Sequence, residues 1–283
     1  MKLLKIFKKV LDRPRKTYIA YVMLVSEGGK KENGPAAQTL VWRRDLSYNK
    51  RQMRIEEKRM ETWKDLFPED IQQRYELLNY NHAAEIISQA FQKEFDEIIE
   101  TLRKVKITKT DIAKSGGNES PIPPKFSAIL DPLGWQEIRI SGDLVVHFYP
   151  RRGDKKGRFE TSPIEQKTLK NYIDGHNIDY VKNRVAIDVE WNSKDQTYDR
   201  DLFAMRTYYE CDVISAGVII TRSESLNQVF AELGNSIKKK YGASTTWMGK
   251  LTPRLDSRRH GGCPILAIGI TDKCIEDWED GND

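Results

Sequence analysis

Three apolar runs in the second half of the chain predict β-strands, over residues 185–191, 214–221 and 263–270. The middle run is almost continuously apolar, as in strands that are buried on both faces of a sheet. Helices are predicted between these strands over residues 202–211 and 226–239, the first with Asp199 as its N-terminal cap. Because strands and helices alternate, this half of the chain predicts an α/β fold with helices on both sides of a mixed sheet.

The first half of the chain contains further patterned segments. Apolar residues recur at intervals of three and four over residues 81–105 and predict one long amphipathic helix. Residues 134–149 are typical of two short strands. A helix is also predicted over residues 162–173, because Ser162 and Glu165 have the spacing of a capping box.

The N-terminal residues have weaker patterns. They predict strands over residues 17–25 and 38–42 and a charged helix over residues 50–64. We therefore divide the chain into an accessory N-terminal extension, residues 1–74, and a core, residues 75–283, that ends in an acidic tail.

The composition restricts the class of protein. Charged residues make up 31% of the chain and hydrophobic residues 39%, which supports a real core inside a strongly charged surface. No apolar run approaches the ~20 residues that cross a bilayer, and residues 1–11 are interpreted as a basic terminus without membrane contact. The three cysteines have no paired spacing, which argues against a disulfide framework and a four-ligand zinc site. We therefore expect a cytoplasmic protein.

The net charge of +5 is modest, but the basic residues are clustered. A single cluster is typical of a solvated surface, whereas three clusters on loops around one core favour nucleic acid as a partner. The clusters are Arg151, Arg152, Lys155, Lys156 and Arg158; Lys238, Lys239 and Lys240; and Arg254, Arg258 and Arg259.

Two carboxylates share one face of the strand over residues 185–191, because side chains alternate along a strand and Asp188 and Glu190 are two positions apart. Adjacent carboxylates on an apolar strand repel each other and lose hydration, and a divalent cation such as Mg²⁺ would remove this conflict. Asp179 precedes Asp188 by nine residues, which allows a hairpin turn at Lys182 and Asn183 to return a third carboxylate to the same cation. The alternative is an edge strand whose polar face meets water.

With a cation in place, this arrangement would hydrolyse a phosphodiester. Asp179 and Asp188 are the expected principal ligands, and Glu190 holds the attacking water or helps to bind a second cation. Other hydrolytic centres are disfavoured, because the four histidines have no paired ligand spacing. The chain also has no Gly-x-Ser-x-Gly elbow and no phosphate-binding Gly-Lys-Ser/Thr loop.

These motifs, in this order, resemble those of a known family. Asp179, Asp188 and Glu190 resemble the site of the restriction-endonuclease-like fold. Together with the stretches Tyr-Asn-His-Ala-Ala-Glu at residues 80–85 and Gly-Val-Ile-Ile-Thr-Arg at residues 217–222, the chain resembles the BglII type of type II restriction endonuclease. The implied fold is a mixed β-sheet flanked by helices, here preceded by an N-terminal extension without a counterpart. Glu190 stands where the wider superfamily has lysine, so its role as metal ligand or water-positioning residue stays open.

The resemblance implies a site-specific deoxyribonuclease. It implies a homodimer that cuts both strands of double-stranded DNA at a short palindromic site with Mg²⁺, and a cognate DNA methyltransferase that protects the host. The residues expected to grip DNA phosphates are Lys238, Lys239 and Lys240. The residues expected to read bases are Ser244, Thr245 and Thr246, followed by Asn192, Lys194 and Asn118.

Two other functions stay open from the sequence. One is a nuclease of the same fold that cuts branched or damaged DNA during repair. The other is a DNA-binding protein without catalytic activity that uses the same basic loops. The recognition sequence and the cut position cannot be read from the residues.

Overall fold

A six-stranded mixed sheet forms the centre of the structure, a computed structural model that describes residues 63–114, 120–153, 157–174 and 176–278. The strands are β1 (Tyr75–Tyr80), β2 (Gln136–Ile138), β3 (Ser141–Phe148), β4 (Glu165–Asp174), β5 (Ile178–Lys182), β6 (Val185–Glu190), β7 (Ala216–Arg222) and β8 (Ile265–Ile270). The helices are α1 (Glu69–Arg74), α2 (Ala83–Ala90), α3 (Gln92–Lys104), α4 (Lys109–Ala113), α5 (Pro123–Leu130), α6 (Thr197–Glu210), α7 (Leu226–Glu232), α8 (Asn235–Lys240) and α9 (Met248–Asp256).

The strand order in the sheet is β1-β8-β7-β6-β5-β2. The three central strands β6, β7 and β8 run parallel, whereas β1, β5 and β2 pair antiparallel with their neighbours. Strands β3 and β4 form a separate antiparallel ribbon. The prediction of a mixed sheet flanked by helices is therefore confirmed, and β6 is an internal strand rather than an edge.

The two faces of β6 bury different cores, as the alternation predicts. Val185, Ile187, Val189 and Trp191 join one hydrophobic cluster, to which helices α2, α3, α5 and α7 contribute. Ala186 joins the other cluster, which is built largely from α6 and α9. Asp188 and Glu190 follow Ala186 at intervals of two residues. Their side chains therefore lie on the same face of the strand as Ala186, which is the α6 side of the sheet.

Gly217 permits α6 to pack closely on β7. A Cβ atom at this position would lie 2.5 Å from Sδ of Met205 and 3.0 Å from Cδ1 of Ile265. The first distance is too short for any real side chain, so a larger residue would force the side chain of Met205 to move.

Two predicted helices are each interrupted. The helix predicted over residues 81–105 is two helices, α2 and α3, because the backbone of Phe91 leaves the helical region with a φ of −135°. The helix predicted over residues 226–239 is also two, α7 and α8, separated by Gly234 with a φ of 106°. The hydrophobic period continues across both breaks, which is why the pattern does not reveal them.

The helix predicted over residues 162–173 is wrong. The chain there forms β4, which pairs antiparallel with β3 from Ser141↔Asp174 to Phe148↔Glu165. Leu169 and Tyr172 of β4 are exposed, so this strand has no buried stripe of its own. Pairing with β3, which is a non-local contact, overrides the local capping-box spacing.

The part of the chain just before residue 75 packs on the core. Phe67 and Ile71 are buried in the same hydrophobic cluster as β6, and Asp70 of α1 pairs with Arg103 of α3 at 2.8 Å. The division of the chain at residue 74 stays a prediction. The predicted strands over residues 17–25 and 38–42, and nearly all of the helix predicted over residues 50–64, lie outside the described residues.

Cys211 is exposed, Cys263 and Cys274 are buried, and all three lie in the described residues as free thiols. Within the described parts of the chain, no helix has both the length and the apolar character needed to cross a membrane.

Candidate active site

A two-residue hairpin turn positions the first two carboxylates. Asn183 and Arg184 have positive φ angles of 42° and 73°, the conformation of the turn that matches the twist of a tight hairpin. The turn joins β5 to β6 with Lys182 opposite Val185. The predicted hairpin is therefore present, with its turn one residue later than the predicted Lys182 and Asn183. Nη1 of Arg184 donates to the carbonyl of Asp212 at 2.7 Å, which anchors the hairpin turn to the segment between α6 and β7.

Asp179 and Asp188 meet at the open end of this hairpin. Backbone pairing between β5 and β6 stops at Tyr180 and Ile187. Beyond this pair, backbone N–H groups donate to side-chain carboxylates of the opposite strand. The backbone N–H of Asp179 donates to Oδ1 of Asp188 at 3.1 Å, and the backbone N–H of Val189 donates to Oδ2 of Asp179 at 3.0 Å. Asp179 is exposed, whereas Asp188 is only 4% exposed. The site is therefore open to solvent on the Asp179 side.

Glu190 and Asp201 complete a group of buried acids. Glu190 is 8% exposed at the end of β6, and Asp201 of α6 is 2% exposed. Among the described residues, Oδ2 of Asp188, Oε2 of Glu190 and Oδ2 of Asp201 have no hydrogen-bond partner. Three buried carboxylates on one side of the sheet thus each leave an oxygen unused.

Sequence reasoning missed Asp201. It lies in the stripe of α6 that faces the sheet, with Tyr198, Leu202 and Met205 as its buried neighbours. A charged residue at an apolar position of a helix is the signal that identifies it. Asp199, which was predicted to cap the helix, instead lies inside its first turn and pairs with Arg254 at 3.1 Å and with Arg259.

The acids are costly to ionise together. Burial, reinforced by the neighbouring Asp179, raises the pKa of Asp188 well above its ordinary value. Burial also raises the pKa of Glu190. Burial and the charges of Asp188 and Glu190 raise the pKa of Asp201 to about 9. A site that holds carboxylates under such conditions calls for positive charge.

Arg200 supplies one positive charge beside the group. Its Nη2 lies 3.1 Å from Oδ1 of Asp201 and 3.9 Å from Oε1 of Glu190. The side chain of Arg200 is half exposed, so its charge is partly screened by water. One screened cation is insufficient for three buried carboxylates.

The donor set fits a hard divalent cation. Mg²⁺ prefers carboxylate oxygens and keeps several water ligands, and the unpartnered oxygens of Asp188, Glu190 and Asp201 are donors of this kind. In the part of the chain that the structure describes, no three His, Cys, Asp or Glu side chains are placed so that they could together hold a metal ion.

The two groups predicted to read DNA bases lie side by side. The backbone N–H of Asp195 donates to the carbonyl of Ser244 at 3.0 Å, and that of Thr246 donates to the carbonyl of Ser193 at 2.9 Å. Lys194 pairs with Thr245 between them. The loop over residues 241–246 is thus tied to the segment that leaves the carboxylate strand.

The members of these groups differ in exposure. Ser244 and Lys194 are exposed. Thr246 is buried, and Oγ1 of Thr245 accepts a hydrogen bond from Arg222 at 2.5 Å. Oδ1 of Asn192 is buried without a partner among the described residues. Asn118 lies outside them.

The predicted basic clusters also divide into free and bound members. Lys238 and Lys239 are exposed at the end of α8. Nζ of Lys240 instead donates to the carbonyls of Ile112 and Lys114. Arg254 pairs with Asp195 at 3.6 Å as well as with Asp199, so much of that cluster is neutralised. Lys155 and Lys156 lie outside the described residues.

Comparison with known proteins adds one match. A family model described as restriction endonuclease BglII/BglIII matches residues 75–270. The matched region begins at the first residue of β1 and ends at the last residue of β8, and it includes Asp179, Asp188, Glu190 and Asp201. No curated protein matches the chain.

Proposed function

Because the chain belongs to the BglII/BglIII restriction endonuclease family, we propose that it cuts both strands of double-stranded DNA at a short palindromic site in an Mg²⁺-dependent reaction. The observation that carries this proposal is the group of carboxylates on one side of β6, of which Asp188 and Glu190 are buried and leave an oxygen unpartnered among the described residues. Phosphodiester hydrolysis needs such a place for a divalent cation beside the substrate phosphate.

In this proposal Asp179 and Asp188 hold Mg²⁺, and Glu190 either shares in holding it or orients the attacking water. When bound, Mg²⁺ supplies activation of a water molecule and neutralises charge on the phosphate. Asp179 lies on the solvent-exposed side of the group, which is the side from which a DNA backbone can approach. The mutual hydrogen bonds of Asp179 and Asp188 with the hairpin backbone hold these two side chains in position before substrate arrives.

DNA contact is proposed for the residues around the end of β6. The exposed Ser244 and Lys194, on segments that pair with each other, are the best candidates for base contacts, with Asn192, Thr245, Thr246 and Asn118 as further candidates. Lys238 and Lys239 are exposed and are proposed to contact phosphates. The amine of Lys240 donates to two backbone carbonyls, so we propose it as a weaker candidate for phosphate contact than Lys238 and Lys239.

The remaining assignments follow from the proposed reaction. A palindromic site matches a homodimer with two-fold symmetry. The enzyme would act in the cytoplasm, where a cognate DNA methyltransferase would protect the host's own sites. We propose that residues 1–74 are an accessory extension that adds to dimerisation or to DNA contact.

Digestion of a long linear DNA tests the proposal. The purified full-length protein is incubated with the DNA and Mg²⁺, and a reaction with excess chelator is the control. We expect discrete limit-digest fragments whose ends share one short palindrome, and no cleavage with chelator. Cleavage restricted to branched DNA would instead support a repair nuclease. Binding to DNA without cleavage by Mg²⁺, Mn²⁺ or Co²⁺ would support a catalytically silent DNA-binding protein.

A further inference from the structure

We propose that Asp201 of α6 is an additional acidic ligand of the divalent-cation site formed by Asp179, Asp188 and Glu190. This inference rests on the proposed function. It concerns a residue on a different element from the other three, because Asp201 comes from the helix that follows the carboxylate strand.

Asp201 lies at a position of α6 that is otherwise apolar. Helix α6 turns one stripe toward the sheet, and the buried members of that stripe are otherwise Tyr198, Leu202, Ala204, Met205 and Tyr208. Asp201 is as buried as these residues, with 2% of its surface exposed. An aspartate in such a stripe destabilises the fold unless its charge is compensated.

Only one of the two carboxylate oxygens of Asp201 has a hydrogen-bond partner among the described residues. Arg200 donates to Oδ1 of Asp201 from both Nε and Nη2, each at 3.1 Å. Oδ2 of Asp201 is buried and has no partner within the described residues. The same holds for Oδ2 of Asp188 and Oε2 of Glu190. Three carboxylates with one free oxygen each are the donors that a cation requires.

The ion pair with Arg200 does not explain this burial. The side chain of Arg200 is half exposed, and a pair with one solvated partner contributes little to stability. An aspartate on the outer face of α6 could make the same pair without losing its hydration. Burial and the nearby carboxylates of Asp188 and Glu190 both disfavour a charge on Asp201, so the site without a cation is electrostatically unfavourable.

The helix is held firmly at this point. The hydroxyls of Tyr198 and Thr221 are hydrogen-bonded at 2.7 Å, and Oγ1 of Thr221 donates to the carbonyl of Glu190, also at 2.7 Å. One turn of α6 is thereby fixed to the end of β6. Asp201, three residues after Tyr198, is held on the same side of the sheet as Glu190.

Mn²⁺ binding to the full-length protein without DNA tests this proposal. Mn²⁺ affinity is measured by electron paramagnetic resonance for the parent protein and for Asp201→Asn. The matched control is Asp199→Asn, which removes a charge two residues away that pairs with Arg254 and Arg259. We expect Asp201→Asn to weaken Mn²⁺ binding roughly tenfold or more, and Asp199→Asn to change it by less than about twofold.

Thermal unfolding provides a second readout that a purely structural role would not produce. Without Mn²⁺, Asp201→Asn is expected to melt at a higher temperature than the parent, because asparagine is neutral in the buried site whereas the parent must keep Asp201 protonated at a cost in free energy. With saturating Mn²⁺, the melting temperature of Asp201→Asn is expected to rise less than that of the parent, because the stabilisation by a ligand depends on its affinity. Asp201→Ala is measured in parallel and replaces the asparagine variant if that variant does not fold.

Two results would overturn the proposal. One is parent-like Mn²⁺ affinity and thermal gain in a folded Asp201 variant, and the other is absence of Mn²⁺ binding by the parent. The proposed function fails separately: a parent protein that binds Mn²⁺ but cuts no DNA would contradict the nuclease assignment and leave the role of Asp201 to be decided by the binding data.

Discussion

At the scale of single residues, the chain places acids where its neighbours are apolar. Asp188 lies between Ile187 and Val189 on a strand that is buried along its whole length. Asp201 lies beside Leu202 in the core-facing stripe of α6. Each of these carboxylates loses hydration on folding, so the protein is stabilised by their protonation or by a cation. This makes the stability of the metal-free protein depend on pH.

We predict that the free energy of unfolding of Asp201→Asn, relative to the parent, rises with pH when chelator is present. The folded parent keeps a proton on Asp201 up to a pKa of about 9, whereas the unfolded chain loses it near the ordinary value. The stability that this proton contributes is complete below pH ~4 and is lost as pH rises toward ~9. The stability of the asparagine variant does not fall with pH for this reason, because asparagine does not titrate. Urea denaturation at several pH values in that window measures the difference.

Asp199→Asn is the opposite control for this measurement. Burial acts to raise the pKa of Asp199, but hydrogen bonds from Arg254 and Arg259 outweigh it and lower the pKa. Asp199 therefore stabilises the fold above its unfolded pKa, and this contribution is lost as pH falls through the folded pKa. A pH-independent difference between Asp201→Asn and the parent would contradict the assignment of a buried, neutral Asp201.

At the scale of elements, the carboxylate hairpin is the part that local sequence rules predict best. Alternation along residues 185–191 predicts which side chains share a face, and the two cores of the sheet confirm it. The turn is also predictable, because Asn183 tolerates the positive φ that a two-residue hairpin requires. These rules act between residues that are near in sequence.

The parts that were not predicted depend on contacts between distant residues. Strand β4 is a strand because β3 pairs with it, although Ser162 and Glu165 have helical capping spacing. Asp201 joins the site because α6 packs on β7 where Gly217 leaves space for Met205. Neither the pairing partner of a strand nor the packing of a helix can be predicted from a local pattern. The fold class was therefore predictable from the sequence, whereas the presence of Asp201 beside Asp188 and Glu190 was not.

Arg222 connects two elements that the proposed function uses. Its guanidinium is buried, donates from Nε to the carbonyl of Trp191 at 2.7 Å and from Nη2 to Oγ1 of Thr245, and lies 5.0 Å from the ring centre of Tyr241. It thereby joins the end of the carboxylate strand to the loop over residues 241–246.

We predict that Arg222→Met lowers the free energy of unfolding by ~1–3 kcal/mol, because the buried carbonyl of Trp191 loses its hydrogen bond. Arg206→Met is the control, since Arg206 is half exposed and pairs with Glu210 one turn away on α6. Such a pair contributes only ~0.3–0.5 kcal/mol. Equal losses for the two variants in urea denaturation would show that Arg222 does not hold the two segments together.

At the scale of the whole molecule, the distribution of charge matters more than its sum of +5. Several arginines are neutralised by nearby acids, as Arg254 and Arg259 are by Asp199. Lys238 and Lys239 are exposed at the C-terminal end of α8. They are the members of the predicted phosphate-binding cluster that remain available to DNA.

We predict that replacing Lys238 and Lys239 together by alanine weakens binding to cognate and unrelated DNA alike. The slope of the logarithm of affinity against the logarithm of salt concentration should fall by roughly 1–2, about one for each lysine that no longer neutralises a phosphate. Lys93→Ala with Lys104→Ala removes the same charge from exposed positions of α3. If both double variants change the slope equally, Lys238 and Lys239 contribute only through net charge.

The central claim is that the carboxylates at the end of the β5–β6 hairpin carry out DNA hydrolysis. Among these carboxylates, Asp188 is the most buried. Single-turnover cleavage of cognate DNA by Asp188→Asn, with DNA affinity measured in parallel, tests it most directly. Asp256→Asn, an exposed carboxylate on α9, is the control. We predict a cleavage rate reduced at least ~1,000-fold, about 4 kcal/mol of transition-state stabilisation, with DNA binding retained and the control unaffected. A folded Asp188→Asn protein that cuts near the parent rate would contradict the claim.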